Sequence, residues 1–341
     1  MRVKDDAVVR EQSCSDLLTA SDASVAARER LAKPVLPWNP TQLERPAFLV
    51  NAPFSYSTDV PNNVWMQELD ESQRRPDHRL AMTQFLEMYR YLSSEALVYV
   101  LPTPRDCGLQ DLVFTANLGA VLEHVETKDV VVLSNFTSEP RRGETQVGEQ
   151  FFAAMGYRTY VAPSKFEGEA ELKHLHDNVY IGGYGPRSEK QTYEWMSQSF
   201  DMTVIPIAHD DPYLYHLDCS IFPITREDTL VCTELYDDDV VAQIERYTNI
   251  IDVSIDDCYA GICNSVRLAN TIVNSSHLHH LKAGTEEYTE ELTKNRHLED
   301  IASELALEVS YLNLSEYHKS GALLSCMVMH LNRYSYTFKL V

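Results

Sequence analysis

From residue 47 to residue 312, apolar runs of three to eight residues alternate with amphipathic stretches of ten or more, and most amphipathic stretches are preceded by one or two runs. An open parallel sheet needs a crossover helix between nearly every pair of strands. Here pairs of strands intervene between helices, so the rhythm predicts an α+β fold with mixed sheets.

The units can be read in turn. A strand at 47–50 precedes Asp77, which stands where a helix N-cap belongs, and Met82, Phe85, Leu86, Tyr89 and Leu92 then recur at helical spacing before a strand at 97–101. Strands at 112–115, 120–122 and 130–133 lead to a helix over 144–155, ended by Gly156, and to a strand at 157–161. A strand at 179–181, a helix at 189–199 and a strand at 202–207 follow. Strands at 219–223 and 230–233 precede a helix at 238–247 and a strand at 250–255. The last unit has a strand at 265–272, a long helix inside 286–307 and a strand at 309–312. Five helices result, each followed by a strand, with no side-chain repeat among the units.

Residues 1–45 are polar and punctuated by Pro34, Pro37 and Pro40, with Pro46 just beyond, and read as an extension carrying one amphipathic helix; residues 46–341 read as one domain. The N-terminal Met-Arg-Val-Lys-Asp-Asp lacks the apolar core of a signal peptide, and no stretch reaches the roughly 18 apolar residues that span a bilayer. A cytoplasmic protein with no membrane partner is expected. With 29 Lys and Arg against 51 Asp and Glu, the formal charge of -22 argues against binding a nucleic-acid backbone and is compatible with attracting small cations. Seven cysteines, odd in number and sparse, point to a reducing compartment. Cys258 and Cys263 lack the second pair of a zinc site, and His277, His279 and His280 lack a nearby acidic or thiol ligand, so no metal is expected.

Several residues have the chemistry of a thiol hydrolase. Cys326 follows a flexible Ser-Gly turn, where a loop can present a nucleophile, although buried cysteines are more often inert packing. Asp111 at the mouth of a strand could hold a cation or cap a turn, and Asn117 sits in a short break between strands, where turn residues are common. Glu167, Glu169 and Glu171 alternate; in extended conformation they share one face, their repulsion relieved by a cation or an imidazolium unless they form a solvated edge. His216, at a predicted strand start, is a candidate acid/base.

In chain order, Gly-Leu-Gln-Asp-Leu-Val-Phe-Thr-Ala-Asn at 108–117, Phe-Glu-Gly at 166–168, Gly-Tyr-Gly-Pro-Arg at 183–187, Tyr-His-Leu-Asp at 215–218, Cys-Asn-Ser-Val at 263–266 and Lys-Ser-Gly-Ala with Ser-Cys-Met at 319–327 resemble the guanidino-group-modifying superfamily. Its members include dimethylarginine dimethylaminohydrolase, arginine deiminase, the amidinotransferases and the arginine dihydrolases. The resemblance implies the pentein fold, a pseudo-fivefold α/β propeller of ββαβ-type units around a central polar site. It also implies catalysis on a small-molecule guanidine, L-arginine or a relative, without cofactor and in a chain compatible with homo-oligomers. Carried over by position, Cys326 is the nucleophile, His216 the proton shuttle, Glu167 its orienting partner and Asp111 a guanidinium-binding carboxylate. Arg141 and Arg187 match arginines that hold an α-carboxylate, and Phe114 and Asp218 fall among substrate-contacting positions. Asn117 and Asn63 resemble the paired asparagines of the arginine-dihydrolase branch, which takes arginine to ornithine, carbon dioxide and ammonia. Val64 departs from that branch's Pro, and Glu169-Ala170-Glu171 from its Gly and Asp, a change expected to bear on the pocket. Methylarginine hydrolysis, deimination to citrulline, amidino transfer and non-catalytic arginine binding are the alternatives.

Overall fold

The computed structural model describes residues 39–338. Ala47–Asn51 (β1), Val130–Leu133 (β4), Val179–Tyr184 (β7), Asp228–Val231 (β10) and Thr271–Ser275 (β13) are almost wholly buried. They read as nearly continuous apolar runs because both faces of each strand are covered. Each is the middle of a three-stranded sheet. On one side a short antiparallel strand pairs with it: Gly119–Val121 (β3) with β4, Leu172–His176 (β6) with β7, Ile221–Pro223 (β9) with β10 and Val266–Leu268 (β12) with β13. On the other side lies a parallel strand: Leu97–Leu101 (β2), Arg158–Val161 (β5), Thr203–Ala208 (β8), Asn249–Asp252 (β11) or Glu308–Leu312 (β14).

Parallel pairing requires a crossover. The helices His78–Glu95 (α1), Glu144–Ala154 (α2), Lys190–Phe200 (α3), Asp238–Ile244 (α4) and Glu286–Glu304 (α5) supply it. In the first sheet the antiparallel neighbour of β1 comes from the far end of the chain. It is Met329–Asn332 (β15), with His330 opposite Phe48 and Met329 opposite Leu49.

The period-2 alternation of the middle strands sorts their side chains onto two faces, and each face meets the next sheet. Ala47 and Leu49 pack with Val131 and Leu133, while Val130 and Val132 pack with Tyr180 and Leu172. Val179 and Ile181 meet Val231 and Ile221; Leu230 and Phe222 meet Ile272. Val273 and Val266 then meet Phe48 and Val50, which closes the ring. Five apolar clusters among the described residues therefore cement five sheets. At roughly 1.5–3 kcal/mol for each large side chain fully buried, they dominate what holds the domain together.

Asp77 caps α1 by accepting the N–H groups of Arg79 and Leu80. Gly156, at φ +85°, ends the turn after α2 where a Cβ would be strained. The buried stripe of α1 is Ala81, Phe85, Met88 and Leu92, with Gln84 beside it; Leu86, expected inside, is 41% exposed. Residues 112–115 form turns leading into a 3-10 helix, not a strand. The run 265–272 is a hairpin of β12 and β13, and the strand expected to reach 255 stops at Asp252, because Ser254 and Asp257 form a capping box that starts a short helix. Residues 39–45, assigned to the extension, are tied to β15: Thr41 Oγ1 donates to the Leu331 carbonyl at 2.7 Å, and Asn332 Nδ2 donates to the Pro40 carbonyl at 2.8 Å. The amphipathic helix expected upstream lies outside the described residues. No helix among those residues is long and apolar enough to cross a membrane.

Candidate active site

The innermost strand of every sheet is entered through a tight turn, and the chemistry-bearing residues sit on these turns. Four are 3-10 helices: Thr115–Asn117 before β3, Gly168–Ala170 before β6, Leu217–Cys219 before β9 and Ser325–Met327 before β15. The fifth, before β12, centres on Asn264, whose N–H bonds the Gly261 carbonyl. The turns press on one another. Gly168 has φ +67°, and a Cβ there would lie 2.5 Å from the Ala116 carbonyl oxygen, so only glycine lets the Glu167 turn reach the Asn117 turn. The Thr115 hydroxyl lies 2.8 Å from the Leu49 carbonyl and 2.9 Å from that of Met327, which fixes the Cys326 turn from behind.

The turns surround a narrow cavity lined in part by Asn63, Asp111, Phe114, Asn117, Arg141, Arg187, His216 and Cys326. Glu167 and Asp218 lie one layer out. Glu167 Oε2 is 2.8 Å from His216 Nε2, and Asn117 Nδ2 is 3.3 Å from the same nitrogen. Asp218 Oδ2 accepts from Ser325 Oγ at 2.5 Å and from the Cys326 thiol at 3.8 Å.

Electrostatics divides the carboxylates of Glu167 and Asp111. Burial pushes the Glu167 carboxyl up, but Arg187, His216 and Arg141 together overcome it and hold the group at about 2. For Asp111 burial prevails over Arg141, Gln110 and Arg187, and its carboxyl is raised. Burial likewise pushes the Cys326 thiol up to about 12; Asp218 adds to this, against the Leu323 N–H and the Asn264 amide. Arg141 is engaged by Glu144, with Nε and Nη2 at 3.0 and 2.8 Å from its two oxygens, and Nη1 lies 3.8 Å from Glu167. Arg187 stands over the Tyr215 ring, donates from Nη2 to the Asn62 carbonyl at 2.7 Å and approaches both Glu167 oxygens at 3.5 Å.

The sequence reading passed over three of these neighbours. Asn62 donates to Asp111 Oδ2 at 2.6 Å and so links that carboxylate to Arg187. Tyr215 lines the cavity beside His216, with ring centroids 4.8 Å apart. Asn264 Nδ2 is 3.4 Å from the Cys326 sulfur. Asn62 and Tyr215 adjoin residues already singled out, and Asn264 falls in the Cys-Asn-Ser-Val motif, so position in a motif was the available signal. Asn63 caps the helix Val64–Glu68 through Oδ1 and gives Nδ2 to the Ser320 carbonyl at 2.8 Å.

The three alternating glutamates do not share a face. The 3-10 turn splays them, and each meets its own imidazole: Glu167 meets His216, Glu169 lies 2.5 Å from His330 Nδ1 and Glu171 3.0 Å from His209 Nε2. All three are buried, which overturns the solvated edge, and neither Glu169 nor Glu171 lines the cavity, so their length does not shape it. Among the described residues no three His, Cys, Asp or Glu side chains gather as a metal site would need.

The family model for eukaryotic N,N dimethylarginine dimethylhydrolase matches residues 51–333, a span that holds every residue lining the cavity. The bifunctional arginine dihydrolase/ornithine cyclodeaminase AgrE of Nostoc sp. is 33% identical over 183 residues, 52% of this chain and 24% of AgrE. The bifunctional enzyme of the same description from Synechocystis sp., ArgZ, is 24% identical over 289 residues, 83% of this chain and 37% of ArgZ. The chain thus spans well under half the length of these two relatives. The crystal structure of the N-terminal domain of ArgZ bound to substrate, 24% identical, matches with a TM-score of 0.72 over 84% of this chain and 98% of that domain, which establishes the shared fold.

Proposed function

Because the chain belongs to the eukaryotic N,N dimethylarginine dimethylhydrolase family, we propose that it is a cysteine-dependent hydrolase of the guanidinium of free L-arginine, carrying it through two hydrolyses to ornithine, carbon dioxide and ammonia. The catalytic domain is residues 46–341, acting in the cytoplasm. The observation that carries the reading is that Cys326, His216, Asp111 and two arginines line one cavity. A thiol, an acid/base and an anionic cradle are what attack on a resonance-stabilised cation needs, and two arginines offer an anchor for a carboxylate on the same molecule.

In this mechanism Asp111, steadied by Asn62, accepts hydrogen bonds from the guanidinium and fixes its plane. Arg187, with Nη1 of Arg141, takes the α-carboxylate. Phe114 walls the cavity, and Asp218, beside the sulfur, faces the charge at the reacting carbon. The Cys326 thiolate bonds to the central carbon and His216, held by Glu167, protonates the departing nitrogen, which leaves as ammonia. His216 then takes a proton from water as the water's oxygen bonds to the carbon and the C–S bond breaks, returning the thiolate. The neutral amides of Asn117 and Asn63 let the ureido product stay for a second round, in which arginine and two waters have become ornithine, carbon dioxide and two ammonias.

Relatives named as arginine dihydrolases support this outcome. The second reading, hydrolysis of N,N-dimethylarginine to citrulline and dimethylamine, is favoured by the description of the family model. Product analysis by mass spectrometry, with arginine and N,N-dimethylarginine as substrates, decides. Ornithine from arginine is expected; citrulline alone, or turnover of the methylated substrate only, overturns the dihydrolase reading. A chelator is expected to leave the rate unchanged, and a loss restored by a divalent metal would end the metal-free mechanism.

A further inference from the structure

Asn264 is 3% exposed and sits on the turn before β12, the fifth of the turns that ring the cavity. Its Oδ1 accepts the Ser325 N–H at 2.8 Å. That bond fixes which way the amide points, because an N–H needs an acceptor, and the NH2 end must therefore face the other way. There Nδ2 lies 3.4 Å from the Cys326 sulfur and 3.4 Å from Asp218 Oδ2. One amide group thus stands between a carboxylate and the atom that must become an anion beside it. We propose that Asn264 is a catalytic residue, whose amide donates to the Cys326 sulfur and stabilises its thiolate form against the repulsion of Asp218.

The geometry separates this from a purely structural role. A structural asparagine here accepts the Ser325 N–H, which an aspartate does equally well, and steadies Asp218, a loss that the melting temperatures report. A donor to the sulfur cannot be replaced so. Asn264→Asp removes the N–H and sets a second carboxylate against the thiolate, which disfavours the anion twice. The thiol also has Asp218 as an acceptor at 3.8 Å, so without the amide the protonated form keeps its partner while the anion loses one.

The inference deepens the hydrolase reading, yet its test needs no substrate. Alkylation of Cys326 by iodoacetamide is followed by mass spectrometry of its peptide at pH 8 to 10 in wild type, Asn264→Asp and Asn264→Ala, with melting temperatures recorded. Cys107, partly exposed, serves as an internal control in each digest. Losing a hydrogen bond to a charged group lowers the thiolate fraction, and the more basic sulfur recovers part of the rate, so alkylation is expected to slow about three- to tenfold in both variants. An unchanged control completes the expected result. An Asn264→Asp protein that alkylates at the wild-type rate overturns the proposal, and so does slowing shared by Cys107, which reports a general structural change. If Asn264→Asp does not fold, Asn264→Ala is judged by the same readout. Failure of the hydrolase reading would appear separately, as wild type that turns over no guanidine while its thiol still responds to position 264.

Discussion

A thiol beside a carboxylate and out of water is a weak nucleophile until something positive arrives. Cys326 has that surrounding, with its thiol pushed up to about 12 first by burial and then by Asp218. In the proposed mechanism a bound guanidinium supplies the missing charge and lowers the value, so the substrate helps activate the group that attacks it. In the empty enzyme, alkylation of Cys326 is therefore expected to climb with pH without levelling off below about pH 10, and a plateau near pH 8 would contradict the cause given. Cys326→Ser is expected to abolish turnover while arginine still binds, because the alcohol has no comparable anion at neutral pH; residual turnover within about tenfold of wild type would remove Cys326 from its role. Asn117→Asp puts a carboxylate 3.3 Å from His216 Nε2 and is expected to shift products from ornithine to citrulline, whereas an unchanged ratio would make Asn117 a turn residue only. At this scale the sequence was informative where a residue's chemistry is unusual, as at Cys326 or His216. It was silent on Asn62 and Asn264, because an amide gains meaning only from what faces it, and Asp111 and Cys326 reach them across 49 and 62 residues.

The short turn from Glu167 to Glu171 shows how an element can hide its purpose in sequence. Three glutamates at alternate positions read as one charged face, but the 3-10 helix sends one toward His216 and another toward the last described strand, where Glu169 accepts from the His330 N–H and Arg333 Nη2, both at 2.8 Å. The next strand was invisible for the same reason: Lys173, His174 and His176 make β6 look like surface, yet Lys173 and His174 are buried. Glu169 is thus a stability residue two positions from Glu167, the partner of His216. Burial raises its carboxyl, but His330 and Arg333 outweigh that and hold it at about 2, below its ordinary value of 4.5. A depressed carboxylate stabilises the fold above its unfolded value and loses that contribution as pH falls from about 4.5 to about 2. Glu169→Gln leaves the buried Arg333 guanidinium without its countercharge and is expected to cost about 3 kcal/mol or more at pH 7, with a flatter stability profile below pH 4.5. Since Glu169 is outside the cavity, kcat of the folded protein stays near wild type. Urea melts across that pH range, with kcat alongside, test both halves; unchanged acid sensitivity would deny Glu169 its place in acid stability.

Over the whole molecule, what was legible was what repeats locally. All five crossover helices and their returning strands follow from apolar spacing, because each pattern is settled within its own unit. What closes the ring is not local. β15 belongs to the first sheet although about 280 residues separate it from β1 along the chain, and no property of Met-His-Leu-Asn announces that partner. This closure has a mechanical consequence. Met329 and Leu331 fill the cluster between the first and second sheets, so the chain's last strand cements a joint between early ones, and each sheet is clamped by neighbours on both faces. Sheets held this way cannot open singly without breaking two clusters. Leu331→Ala removes a fully buried side chain and is expected to cost about 2–5 kcal/mol. The cost is expected to appear in all five sheets together, as one cooperative transition shifted to lower urea, since weakening any joint in a closed ring weakens the ring. Hydrogen exchange by mass spectrometry in sub-denaturing urea makes the comparison: equal loss of protection in β4, β7, β10 and β13 as in β1 is the expected result. Loss confined to residues 47–101 and 329–332 would mean that the first sheet frays independently and that the five clusters do not act as one closed unit.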